Sequence, residues 1–190
     1  MPIFGAHPFS TAFNRSPIVL VEGDDDRRVL EQVIRSGGGR FALAPCVVGS
    51  VNELSEWEEG LNHFLPVLYA HVCLIRLNCY AVENSLLSDQ VLEAYGFNAE
   101  SFKAALQARV DRVPDHKYTD ALKALLTRFQ DRRTLNIKDV RNIVVAELGS
   151  NKPWEVLLVQ LIAANVAIAN TNQDSIQSYL GPKAVARLVG

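Results

Sequence analysis

This chain of 190 residues is short of several things, and each shortage narrows what it can be. It has three cysteines, Cys46, Cys73 and Cys79. The odd count and the absence of framework spacing argue for reduced thiols in a cytoplasmic protein, not a disulfide-stapled secreted one. Positive charge is not in excess: 19 Lys and Arg stand against 21 Asp and Glu, a net −2, so no global basic field advertises a nucleic-acid binder. The opening MPIFGAHPFSTAFNR lacks the basic start and continuous apolar stretch of a signal peptide. The most apolar run, WEVLLVQLIAANVAIA at 154–169, falls short of the roughly 20 residues a membrane span needs. It also holds Glu155, Gln160 and Asn165, and it reads as a buried helix. There is no internal repeat and no low-complexity stretch. The expectation is a soluble, cytoplasmic protein with no membrane partner and enough apolar residues, 48%, for one substantial core and a small second lobe.

What is present is unevenly distributed. Residues 1–80 carry 6 Lys and Arg against 9 Asp and Glu, a net −3, and residues 81–190 carry 13 against 12, a net +1. All lysines lie in the second part. An acidic front followed by a mixed, lysine-bearing remainder suggests a functional core with an appended module.

The front part alternates in period. PIVLV at 17–21 is a short β-branched run, as in a strand covered on both faces. From Asp24 the spacing turns helical, with Val29, Leu30, Val33 and Ile34 on one face, until the glycines at 37–39. FALAPCVV at 41–48 predicts a second strand, with Pro45 at an edge or bulge. Ser50 and Glu53 make a capping box for a helix with Leu54, Trp57, Leu61 and Phe64 as its buried stripe. A third strand is expected within 67–77. This β-α-β-α-β order predicts an α/β fold with a small parallel sheet over 17–80. Residues 81–190 predict an α-helical lobe: Ser88 and Asn98 are candidate N-caps, and Pro114 ends a helix. Residues 118–129 have helical spacing, Gly149 closes another helix, and Pro153 opens the 154–169 segment. The closing LGPKAVARLVG begins a helix and stops abruptly, as a fragment of a longer protein would.

The densest chemistry is IVLVEGDDDRRVLEQV at 18–33. Glu22 stands at the carboxyl end of the first strand, where open α/β sheets place their ligands, and Asp26 follows about one helical turn later. Gly23 permits a sharp turn between them. A magnesium ion takes oxygen ligands from one or two carboxylates plus water and phosphate, so Glu22 and Asp26, with Asp24 beside them, are candidate metal ligands. The same acids also suit the first turn of a helix, where the macrodipole favours negative charge by roughly 0.3–1 kcal/mol each.

These residues resemble the Glu-Gly-x-x-Asp element that opens the Toprim fold of topoisomerases, DnaG-type primases and OLD-type nucleases. VEGDDD, the VVGSVNEL turn at 47–54 and NCYAVENSLLSDQVLE at 78–93 are together similar to a bacterial Toprim-like domain-of-unknown-function family, often found beside ABC-type ATPases. The likeness covers residues 17–95. It implies Glu22 as metal ligand or general acid/base, Asp26 as its supporting carboxylate, Glu83 as a later acidic member of the site, and Asn84 as a phosphate-orienting or helix-capping residue. It implies Mg²⁺, or Mn²⁺ in its place, a nucleic-acid substrate, a defence or repair setting, and an ATPase partner. One element of that family is missing. A Toprim core carries an Asp-x-Asp pair after its third strand, and here no aspartate occurs between Asp26 and Asp89. Glu22, Asp24, Asp26 and Glu83 suit one ion better than the two that two-metal phosphoryl chemistry needs about 3.5–4 Å apart.

The remaining candidates are weaker. His71, Cys73 and Cys79, with His63 or Cys46, lack the paired rhythm of structural zinc sites. Gly49 and Ser50 at a strand-to-helix junction are available to a phosphate, although the capping box explains them as well. Arg128, Arg132, Arg133, Lys138 and Arg141 form the densest basic region, fit either for a nucleic-acid backbone or for a solvated face. Arg27 and Arg28 sit where they neutralise the acidic cluster or steady a phosphate. Two readings follow: a Toprim-type, Mg-binding, nuclease-like module with impaired catalysis, or a degenerate, noncatalytic interaction domain partnering an ATPase.

Overall fold

The computed structural model describes residues 18–21, 23–36, 44–47, 49, 56, 59–60 and 77–189. The chain divides into two compact units, one reaching Arg76 and joined by Gly190, the other running from Leu77 to Val189.

In the first unit β1 (Ile18–Val21) pairs in parallel with β2 (Ala44–Val47), so that Val19 faces Pro45 and Val21 faces Val47. Between them runs α1 (Asp24–Ser36), which packs on both strands. Its inward face is Asp26, Val29 and Val33, spaced three and four apart, while Leu30 and Ile34 are half-buried. Three acids fill its first turn and Arg35 its last, an arrangement that follows the helix dipole at both ends. Of the helix expected around 54–64, Glu56, Glu59 and Gly60 are helical.

The expected Toprim-like α/β architecture is corrected here. The described chain is mostly helical, and its strand structure is confined to two strands of four residues. The segment expected to supply a third strand, 67–77, lies outside the described residues except for Leu77. Two parallel strands with one helix between them make a βαβ element, not a doubly wound sheet. A short continuous apolar run has no periodicity that separates strand from helix, which is why the sequence pattern overstates the sheet.

The second unit is built from helices around a buried turn of 3₁₀ helix. All eight residues from Ala81 to Ser88 are buried, and the 3₁₀ helix Val82–Leu87 lies at the centre of the run. Around it stand α2 (Asp89–Ala94), α5 (Arg141–Glu147), α6 (Trp154–Asn165) and α7 (Ile176–Leu180), all of which touch it. Helices α3 (Ala99–Arg112) and α4 (Thr119–Thr127) pack on each other beside α2 and α5, and α8 (Pro182–Val189) packs on α7.

Local signals fix the helix ends. The Asn98 side chain accepts from the Ser101 N–H at 2.8 Å and the Ser101 hydroxyl reaches back to the Asn98 N–H, so α3 starts with a reciprocal cap. Phe102, Leu106 and Val110 then face the core at four-residue intervals. Gly149 at φ 77° and Gly181 at φ 83° provide the left-handed residues after α5 and α7. Pro153 occupies the N-cap of α6, one position before the helix. Trp154, Leu157, Leu158, Val159 and Ile162 are buried, as expected of an internal helix. Among the described residues no helix is long and apolar enough to cross a membrane.

Candidate functional site

The acidic elbow is assembled by the start of α1. Glu22 lies outside the described residues, as does Ser50. Asp26 is 8% exposed, and its Oδ2 accepts from the Gly23 N–H at 3.3 Å. Gly23 is the residue before the helix and Asp26 its third, so this bond is the returning half of a capping box. Asp24 is exposed and bridges to Arg27 at 3.0 Å. Arg27 also bridges to Glu31 at 2.7 Å, and Glu31 to Arg35 at 3.3 Å. The hydrogen bonds that Arg27 donates to Asp24 and then to Glu31 raise its pKa above the ordinary value. The charges nominated for metal and phosphate at 24, 26 and 27 thus form a cap and an intrahelical ladder of ion pairs. Among the described residues no three His, Cys, Asp or Glu side chains converge as a metal-binding group.

Glu83 belongs to the second unit and is fully buried. Its Oε1 is 2.7 Å from Arg141 Nη1, and the Arg141 guanidinium lies 4.7 Å above the Trp154 ring. A planar cation held between a carboxylate and an indole face is well matched to both partners. The other carboxylate oxygen, Oε2, is buried with no hydrogen-bond partner among the described residues, as is the Ser85 hydroxyl. Next to it, Asn84 joins two distant segments. Its Oδ1 accepts from the Ala81 N–H at 3.0 Å, and its Nδ2 donates to the carbonyls of Arg132 and Leu135 at 2.7 and 2.8 Å. Of the two roles the resemblance implies for Asn84, capping is the one these bonds describe.

Arg132, nominated for a nucleic-acid backbone, is 5% exposed. Its Nε donates to the Leu87 carbonyl at 2.9 Å, and its Nη2 sits 2.7 Å from Asp89 and 3.2 Å from Asp174. Asn172 Nδ2 donates to the second Asp89 oxygen at 2.6 Å, and the buried Tyr179 hydroxyl donates to Asp174 at 3.4 Å. Burial chiefly, with these carboxylates, pushes the Tyr179 pKa well above its usual value. Sequence reading missed this network because it joins three segments, 87–89, 132 and 172–179, that lie 40 or more residues from one another, and no local pattern couples them. The other basic residues also go separate ways. Arg128 pairs with Asp131 at 3.3 Å, Arg133 donates to the Gln173 carbonyl at 3.4 Å, and Lys138 is half-buried. Cys46 is buried and Cys79 donates to the Ala81 carbonyl at 3.1 Å, whereas Cys73, His71 and His63 lie outside the described residues.

A groove of about 660 Å³ opens in the second unit between the end of α6, the turn after it, and the helices α7 and α8. Val166, Ala169, Val185 and Val189 give it an apolar lining, and Arg133 is the one charged side chain lining it among the described residues. Comparison with protein-family models, with curated proteins and with solved structures finds no match to this chain.

Proposed function

We propose that the chain is a noncatalytic interaction module that binds another protein, in the manner of the second reading of its sequence. One observation carries this: Asp26 and Glu83, the nominated ligands that are buried among the described residues, are both bonded to protein groups, the first to the Gly23 N–H and the second to Arg141. The Arg141 guanidinium on Oε1 already offsets much of the charge by which Glu83 would attract a cation, which makes it a poorer metal ligand than a free carboxylate. The removal of Arg132 into the core likewise takes a cation from any surface that would follow a phosphate backbone. An ATPase is the partner class that the sequence resemblance suggests, and an interaction module needs no intact metal centre to serve one.

Cleavage of supercoiled plasmid DNA and of single-stranded RNA, assayed with Mg²⁺ and with Mn²⁺, tests the proposal. The expected result is no cleavage that separates the wild-type chain from Glu22→Gln. Divalent-dependent cleavage that disappears in Glu22→Gln overturns it and restores the nuclease reading.

A further inference from the structure

The groove between α6, α7 and α8 is the feature for which the fold gives no internal use. Its lining is mostly apolar, and two of the most exposed large apolar side chains of the second unit belong to it or adjoin it. Val189 is 53% exposed, and Ile168, between the lining residues Ala167 and Ala169, is 59% exposed. Exposed apolar surface around a concave site is the usual mark of an interaction surface.

Charge narrows the occupant. Among the described residues Arg133 has no ion-pair partner: its guanidinium has one 3.4 Å bond to the Gln173 carbonyl and stands half-buried on the groove wall. Its neighbour Arg132 shows the contrast, with two carboxylates on one nitrogen. A half-buried guanidinium without a counterion, next to an apolar cleft, is complementary to one carboxylate carried on an apolar segment. A nucleic acid would need several cations along a track, and the lining holds one among the described residues.

Resting on the interaction-module reading, we propose that this groove docks an amphipathic helical segment of a partner protein, with apolar side chains against Val166, Val185 and Val189 and an Asp or Glu paired with Arg133. Helix-in-groove recognition uses apolar anchors at three- and four-residue spacing, and the acidic residue sets the register along them.

The test is selection of a random helical peptide library displayed on phage against the full chain. Arg133→Glu, the milder Arg133→Gln, and Ala186→Trp, which narrows the groove at an exposed lining position, serve as counter-targets after their unfolding midpoints are checked. Enriched peptides are expected to combine apolar anchors with an acidic residue. They should bind Arg133→Glu and Ala186→Trp about tenfold more weakly than wild type, or about 1.4 kcal/mol. Replacing the peptide acid by lysine should recover binding to Arg133→Glu. Failure to enrich any peptide overturns the proposal, and so do peptides that bind every variant as they bind wild type. The latter result leaves the interaction-module reading in place at another surface, whereas metal-dependent cleavage overturns that reading without bearing on the groove.

Discussion

Arg132 and Arg133 are adjacent in the chain and opposite in circumstance. Arg132 holds Asp89, Asp174 and the Leu87 carbonyl together, so Arg132→Ala takes the charged donor from all three and leaves Asp89 only Asn172 and Asp174 only Tyr179 of the side-chain donors in this network. Removing one member of a buried pair costs about 3–5 kcal/mol, and urea unfolding should show a loss of that size. Arg133→Gln should change stability by no more than about 0.5 kcal/mol, as at other surface positions outside an ion pair. Equal losses in the two variants would contradict this assignment. The same network predicts a pH response through Tyr179. Because its folded pKa lies above the ordinary value of 10, the phenol stays neutral in the folded state while it ionises in the unfolded chain. That contribution is complete below about pH 10 and is lost as the pH rises beyond it. The unfolding midpoint of wild type should therefore fall more steeply above pH 10 than that of Tyr179→Phe. Parallel curves would show that the phenol is not held neutral.

The elements show which physical signals are local and which are not. Asn98 as an N-cap, Gly149, the buried helix α6 and the acidic first turn of α1 were legible because each depends on residues within four or five positions. Ser88 was only half legible. It occupies the N-cap of α2, but its hydroxyl donates backward to the Ser85 carbonyl at 2.7 Å instead of accepting from the helix. The resemblance implies a helix start near Asn84, but not that Val82–Leu87 is a buried turn of 3₁₀ helix. Nothing in VENSLL announces that Glu83, Asn84 and Ser85 are all buried, since the long-range partners of Asn84 and Glu83 come from 132, 135 and 141. The Toprim-like α/β class was wrong although the parallel β1–β2 pair formed. Among the described residues strand is confined to that pair and the rest is mostly helical, and short apolar runs do not distinguish strand from helix. Two expectations belong to this scale. Asp26→Ala removes the bond to the Gly23 N–H and should lower stability by about 1 kcal/mol, with faster amide exchange in the first turn of α1. Gly181→Ala meets both a positive φ and the Asn78 side chain, whose Cγ would lie 3.0 Å from the new methyl. It should cost about 1–3 kcal/mol by denaturant titration, whereas Gly23→Ala, which meets nothing within 4 Å, should cost less.

At the scale of the whole molecule the account rests on how acidic residues are used. The two units keep their carboxylates in different ways, as a cap and ion-pair ladder in the first and as buried pairs in the second. In both, the partner is a donor from the same unit. A metal site works in the reverse sense: its carboxylates repel one another until the ion arrives, so binding stabilises the fold and neutralising a ligand relieves the strain. The direct measurement is equilibrium unfolding in urea of wild type, Asp26→Asn and Glu83→Gln, with about 10 mM Mg²⁺ or with NaCl at matched ionic strength. The account predicts that Mg²⁺ leaves each midpoint where NaCl does, and that both variants are less stable than wild type in either salt. A midpoint that Mg²⁺ raises in wild type and not in the variants, above all with variants more stable than wild type in its absence, would contradict it.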